Sequence, residues 1–481
     1  MLGEKHSENV TRLRGALFAT ESFDIIERHL HVGGEDLCFF YIDGFTKDGE
    51  MQRVMQTLMT MDESGSAEYV AARLPYVEVE LSCEIPTLVR AVLSGQACVL
   101  GQSFGAMAII VDARTYPART TAEPDTDRVM QGARDGFVET LVMNTALIRR
   151  RIRDPRLRMR HFNLGGSSAT DVVMCYMDGV ADRQTIDLIA GKLAALRPDS
   201  LTLGYQSLAE SLIKRGWLNP FPKIRLTERP DTASSQVLEG SILLICDTTP
   251  QVMILPTSIF AFIQQTDDFY FPPLTGTYLR LVRTVILLLS VVATPLWYLY
   301  LEYADALPDF LRFLIPDDPG ALPIILQLLL VELAIDGLKI ASMNTPDMLS
   351  NSLSVVGALI LGDFAVQVGW LCADVILYMA FIAIANFAQQ NVELGYAFKF
   401  IRVIILLLVY AFGIWGLLLG LLVFIFLVAT NTTVTGKRHY LYPLIPFDWG
   451  AMKRLVLRLK KSDVGDSGES EGGAAAQRSE K

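Results

Sequence analysis

Cysteine is scarce in this chain. Six occur in 481 residues, at positions 38, 83, 98, 175, 246 and 372, and no two of them form a CxxC pair. That pattern excludes a dense disulfide framework and the usual spacing of a structural zinc site. Histidine is scarcer still, with five. His29 and His31 stand close together without a third ligand nearby in the sequence, and read as surface residues. No GxxxxGK[ST] phosphate loop is present, because the GGSS run at Gly165–Ser168 lacks the lysine. Neither a GxSxG elbow nor an HExxH helix occurs. Acidic residues are plentiful, but no pair of them marks itself as an acid–base couple. The expectation is a protein that is not an enzyme, with no catalytic residue, no metal and no cofactor. A formal net charge of −10 argues against a nucleic-acid partner. The opening residues MLGEKHSENVTRLRGALF have no apolar core like that of a signal peptide. The N-terminal region is therefore expected in the cytoplasm.

Apolar residues are abundant and unevenly placed. They make up 51% of the chain, and the mean hydropathy is +0.34. As far as Tyr278 the composition is mixed; from Leu279 to Thr430 it is mostly apolar. This predicts a soluble α/β domain of two related subdomains followed by an α-helical polytopic membrane domain. The expected boundaries are a first subdomain at 1–115, an Arg-rich helical connector at 116–164, a second subdomain at 165–278 and a membrane domain at 279–430. A basic cytoplasmic segment at 431–461 follows, then a tail at 462–481 too polar to pack.

A repeat underlies the two subdomains. DLCFFYIDGFTKDGEMQRVMQTLMTM from Asp36 matches DVVMCYMDGVADRQTIDLIAGKLAAL from Asp171 in its order of features. Each has an acidic residue, a strand-like run, then Tyr, an apolar residue, Asp and Gly, then a helical pattern. GQACVLGQSFGAMAIIVDA from Gly95 and GSILLICDTTPQVMILPTS from Gly240 each read as two apolar runs about a turn. Each subdomain is expected to run strand, helix, strand, helix, strand, strand. Between them, Phe137, Leu141, Ala146 and Ile148 fit one apolar helix face. Arg149, Arg150, Arg151, Arg153, Arg156, Arg158 and Arg160 follow without interleaved aromatics. They read either as a solvated or subunit-contact face, or as a contact for anionic lipid headgroups.

Five membrane segments are expected: Leu281–Leu301, Ala321–Met343, Leu353–Cys372, Asp374–Ala388 and Val403–Thr430. Arg280 and Arg283 before the first, and the basic residues after the fifth, put both termini on the cytoplasmic side. Five full spans cannot do that, so one segment must be re-entrant, interfacial or split, and Ala321–Met343 is the most charged. There, Glu332, Asp336 and Lys339 share a stripe of about 60° at helical spacing. Asp336 and Lys339 can pair at i,i+3. The stripe suits a cation pathway, a packing device between subunits, or a helix lying in the interface. Asp363 and Gln367 form a second, weaker polar pair on the same pathway reading. Gly416 and Gly420 make a GxxxG, which permits close helix packing.

The stretch EPDTDRVMQGARDGFVETLVMNTALIRRRIRDP, the TERPD of Thr227–Asp231, the DTTPQVMILPT of Asp247–Thr257 and the YPLIPFDWG of Tyr442–Gly450 together resemble the A-subunit family of GerA-type spore germination proteins. Within it, ELAIDGLKIASMNTPDMLS and ALILGDFAVQVGWLCADVILY are most similar to the stage V sporulation branch. The chain has EGS at Glu239–Ser241 where nutrient-receptor subunits tend to have EGR. It has Lys339 and Asn344 where the branch usually has Arg and His, and Gln131 in place of an Arg. The resemblance makes Arg149, Arg150, Arg151, Glu228, Arg229, Pro230 and Asp231 family-motif residues. It implies an inner spore membrane protein, a homo-oligomer (a pentamer by family resemblance) that passes cations. It also implies a small membrane partner, other germination proteins as neighbours, and amplification of the germination response.

Overall fold

The computed structural model describes residues 1–61, 65–116, 129–213, 218–304, 309–344, 365–389, 391–434 and 440–457. The polar tail and Asp363 lie outside them. The chain forms two compact units: Met1–Arg215 with Ile224–Thr257 and Thr433–Lys437, and Gly216–Lys223 with Ser258–Thr432 and Arg438–Lys481. The main stretch of the helical unit thus begins at Ser258, ahead of the expected boundary at 279, and the unit also takes in Gly216–Lys223.

The first unit contains two successive copies of one arrangement. Helix α1 (His6–Leu17) leads into β1 (Ile25–Val32) and β2 (Glu35–Ile42). Then come α2 (Asp48–Met59), α3 (Ala67–Ala71), β3 (Val79–Ser82), α4 (Ile85–Leu93), β4 (Ala97–Gly101) and β5 (Ala108–Val111). The second copy runs α5 (Leu141–Arg151), β6 (Leu157–Leu164), β7 (Thr170–Met177), α6 (Arg183–Ala195), α7 (Tyr205–Leu212), β8 (Arg225–Thr227), α8 (Pro230–Leu238), β9 (Ile242–Cys246) and β10 (Val252–Leu255). The two antiparallel sheets have the same strand order, β1-β2-β4-β5-β3 and β6-β7-β9-β10-β8.

Both faces of each sheet are covered, so the central strands are apolar on both sides instead of alternating with polar residues. On β2, Cys38, Phe40 and Ile42 pack beneath Leu13 and Leu17 of α1 and Leu88 and Val92 of α4. Leu37 and Phe39 face Val54 and Leu58 of α2. In the second copy, Val173 and Cys175 lie under α5 and α8, and Val172 and Met174 under α6 and α7. The glycines of the two repeated motifs match in backbone: φ is 78° at Gly44 and 79° at Gly179, 96° at Gly95 and 96° at Gly240. These left-handed values are open to glycine and strained for residues with a Cβ.

Two expectations need correction. Each copy opens with an additional edge strand. The expected connector, 116–164, holds the first helix and first strand of the second copy: α5 occupies the place of α1, and β6 that of β1. The strand escaped notice because LRMRHFNL carries arginines, and those arginines have partners inside the unit. Arg158 is buried between Glu21 (2.9 Å) and Asp178 (3.2 Å) and lies over the Phe18 ring.

The second unit is helical. It comprises α9 (Asp267–Tyr270), α10 (Pro273–Glu302), α11 (Ile324–Asn344), α12 (Ala365–Gln367), α13 (Ala373–Phe387), α14 (Val392–Phe412), α15 (Ile414–Thr430) and α16 (Trp449–Val456). Among the described residues, α10 is the one helix long and apolar enough to cross a membrane; α13 and α15 are apolar but shorter. The segment expected at Val403–Thr430 is not one helix. Gly413, at φ 57°, turns the chain between α14 and α15, which then pack antiparallel. A Cβ on Gly416 would lie 1.9 Å from the Leu408 carbonyl oxygen, and one on Gly420 2.8 Å from Ile405. The split falls in this segment; α11, which holds the most charged of the five expected segments, is a continuous helix over Ile324–Asn344. Of the expected third segment, only its end, 365–372, is described.

Candidate functional site

Helix α11 places Glu332 and Asp336 four residues apart and α14 places Lys399 and Arg402 three apart, each about one turn. The four groups meet. Arg402 donates from Nη2 to Glu332 Oε1 at 2.7 Å and from Nη1 to the Ser290 carbonyl of α10 at 3.1 Å. Lys399 lies 3.3 Å from the same Glu332 oxygen and also bonds Asp336 Oδ2. Glu332 and Lys399 are each 8% exposed and Arg402 1%. The cluster holds two negative and two positive groups, as burial of charge demands.

The expected partner of Asp336 was Lys339. The structure supplies Lys399 instead, and Lys339 points its ammonium at the Tyr396 ring, 4.7 Å from the centroid. Gln367 is exposed on α12 and makes no hydrogen bond to the four charged groups. Lys399 and Arg402 were missed by sequence reasoning because 389–402 was assigned to no segment. The signal was present in VELGYAFKFIRV, with cations three residues apart on an apolar helix. Gln327 was also missed. It is fully buried, donates to the carbonyls of Pro319 (2.6 Å) and Leu322 (2.7 Å), and accepts from the Cys372 amide (2.8 Å). It therefore ties the start of α11 to the start of α13.

The surface of this unit is inverted relative to a water-soluble core. Trp415 (73%), Leu422 (63%) and Phe426 (61%) of α15 are exposed while the charged cluster is inside. At the start of α10, Arg283 grips both oxygens of fully buried Asp268 at 3.1 Å, and Arg280 bonds the Leu455 carbonyl at 2.8 Å. The two arginines that suggested an orientation are thus held within the unit.

The family-motif residues are structural in the first unit. Arg149 is fully buried and bidentate on Asp24, at 2.7 and 3.1 Å, and also reaches the carbonyls of Asp154 and Leu157. Arg151 pairs with Asp135 at 2.6 Å, and Arg150 lies over the Tyr116 ring. In TERPD, buried Arg229 bonds Asp231 and the Ala133 carbonyl. Glu228 accepts from Gln251, and Pro230 opens α8, where its missing N–H costs nothing. The described arginines of 149–160 thus serve mostly the interior and edges of their own unit.

A duplicated α/β module continuing into an apolar helical module with buried, balanced charge defines the class of protein. The model of the Bacillus/Clostridium GerA spore germination protein family matches residues 15–465, and the chain belongs to that family. It is 36% identical over 445 residues to stage V sporulation protein AF of Bacillus subtilis (strain 168), covering 92% of this chain and 90% of that one. It is 29% identical to the uncharacterized membrane protein YfkQ of the same organism, over 84% of this chain and 79% of that one. Spore germination protein KA, also from Bacillus subtilis (strain 168), is 27% identical over 91% of this chain and 82% of its own length. A crystal structure of the N-terminal domain of the A subunit of the Bacillus megaterium spore germinant receptor GerK3 aligns at 24% identity with a TM-score of 0.41, over 53% of this chain and 95% of that one.

Proposed function

We propose that this protein acts in spore germination from within the inner spore membrane, as one subunit of an oligomeric cation channel that amplifies the germination response. The observation that carries this reading is the inversion of the helical unit: large apolar side chains outside, Glu332, Lys399 and Arg402 buried inside, and Asp336 partly exposed beside them. Apolar surface of this kind fits lipid, and ionisable groups inside such a unit are by default functional candidates. In the arrangement described, Lys399 and Arg402 neutralise Glu332 and Asp336, which corresponds to a closed path. Conduction then requires α11 and α14 to part enough for the carboxylates to meet cations. Membership of the family and the name of one relative as a membrane protein support the location. The first unit serves assembly and gating; it has no proposed catalytic role.

A second reading has equal support from the family: a nutrient-receptor A subunit working with separate B and C subunits. The same charge cluster then serves packing, as it also would in a non-conducting scaffold for germination proteins. The test is potassium release from liposomes holding the purified protein, alone and with co-expressed small membrane neighbours. Flux from the wild type that falls at least tenfold in Glu332→Gln/Asp336→Asn, with the oligomer intact, is the expected result. A well-assembled oligomer that passes no ion under any of these conditions ends the channel reading.

A further inference from the structure

At the β1–β2 edge of the first sheet, three metal-ligating side chains meet that belong to neither the charge cluster nor the family motifs; His29 is exposed, Glu27 partly buried and Cys38 fully buried. His29 on β1 sits directly opposite Cys38 on β2 in the antiparallel register, so their side chains share a face. Glu27, two residues before His29 on the same strand, shares it too. The donor atoms form a small triangle. Glu27 Oε1 is 2.7 Å from His29 Nε2, and Cys38 Sγ is 3.9 Å from each. A tetrahedral Zn²⁺ sets its donors roughly 3.3–3.6 Å apart, given bonds of about 2.0–2.3 Å. Small side-chain rotations therefore separate the reach of these three atoms from that of a coordination shell. Carboxylate, imidazole and thiol together suit a borderline-soft divalent ion. Along the chain no third ligand stands close to His29 and His31, because Cys38 is nine residues from His29; the strand register brings the two together.

Three of the chain's five histidines gather at this edge. His31 is held by Asp36 at 2.8 Å. His6, on α1, has a buried Nδ1 without a hydrogen-bond partner. We propose that Glu27, His29 and Cys38 form a three-ligand site for Zn²⁺ or a similar divalent ion, with a fourth position open to solvent. A competitor for Glu27 lies beside the site. Arg14 of α1 donates to both oxygens of Glu27, at 2.5 and 2.7 Å. Its side chain is 37% exposed, so it can move into water when an ion enters. Arginine and ion then compete for one carboxylate, and removing the arginine favours the ion.

The test uses the full-length protein in detergent, dialysed against Zn²⁺ and counted for bound metal, then loaded with Co²⁺ to seek thiolate-to-metal charge-transfer absorption. One equivalent is expected for the wild type. Binding should weaken at least ~10-fold in Cys38→Ser and in His29→Ala, taking the loss seen for lesser, outer-shell changes as a lower bound. His29 is exposed, so the second variant leaves the core untouched. Arg14→Gln should bind several-fold more tightly than the wild type. Three results overturn the proposal: no ion bound by wild type or Arg14→Gln, wild-type affinity retained in both ligand variants, or binding by Arg14→Gln alone. The last would mean that the ion pair closes the site.

Discussion

Glu332 and Arg402 show how a charge becomes tolerable where it is buried. Removing one partner strands the other, at about 3–5 kcal/mol. Glu332→Gln should therefore lower thermal stability in detergent markedly, and so should Arg402→Met. The double change should cost much less than the sum of the two, because neither charge is then left alone. Additive losses in that double-mutant cycle would show that the pair seen here does not exist in the folded protein. The cysteines of the first unit give a milder test. Burial pushes the thiols of Cys38, Cys175 and Cys246 up to about 12, and raises that of Cys98 as well. Cys83 is partly exposed. Native alkylation near pH 8, followed by mass spectrometry, should modify Cys83 well before these four, since only the thiolate reacts. Labelling of Cys175 at the rate of Cys83 would mean that the second sheet opens readily.

Helices α14 and α15 form a hairpin whose contact depends on two small residues. Gly416 lies where any side chain would strike the Leu408 carbonyl, so Gly416→Val should break the hairpin and lower the yield of folded protein. Ile414→Val, two residues away and exposed, should be neutral; gel filtration in detergent distinguishes the two. The GxxxG spacing was legible in the sequence, but the helix it packs against was not. Residues 403–430 form an almost unbroken apolar run, and a single glycine gives little warning of a turn. Strand β6 failed for the opposite reason. Its alternation of apolar and basic residues was present, yet arginine usually signals solvent. Only the acidic groups folded against it, Glu21 and Asp178 among them, make that strand possible.

The two copies of the first unit are joined through Arg149, which reaches from α5 to Asp24 just before β1. Ser22 and Phe23 add hydrogen bonds to Met159 in β6. This buried link predicts a shared unfolding transition. Arg149→Met should leave Asp24 buried and unpaired, cost roughly 3–5 kcal/mol, and split or broaden the thermal transition followed by far-UV circular dichroism. An unchanged, single transition would show that the copies do not rely on this pair.

The repeat, the α/β character of the first half and the apolar character of the second were all determined locally. Turn glycines, strand-length apolar runs and helical periodicity depend on neighbours a few residues apart, and such patterns survive in a bare sequence. The GerA resemblance was likewise carried by short ordered stretches. Tertiary structure decided the partners. Asp336 pairs with a lysine 63 residues away, Arg149 with an aspartate 125 residues away, and His29 meets Cys38 only because two strands lie in one register. A charge seeks the nearest opposite charge in space, and spatial neighbours are set by how the elements pack.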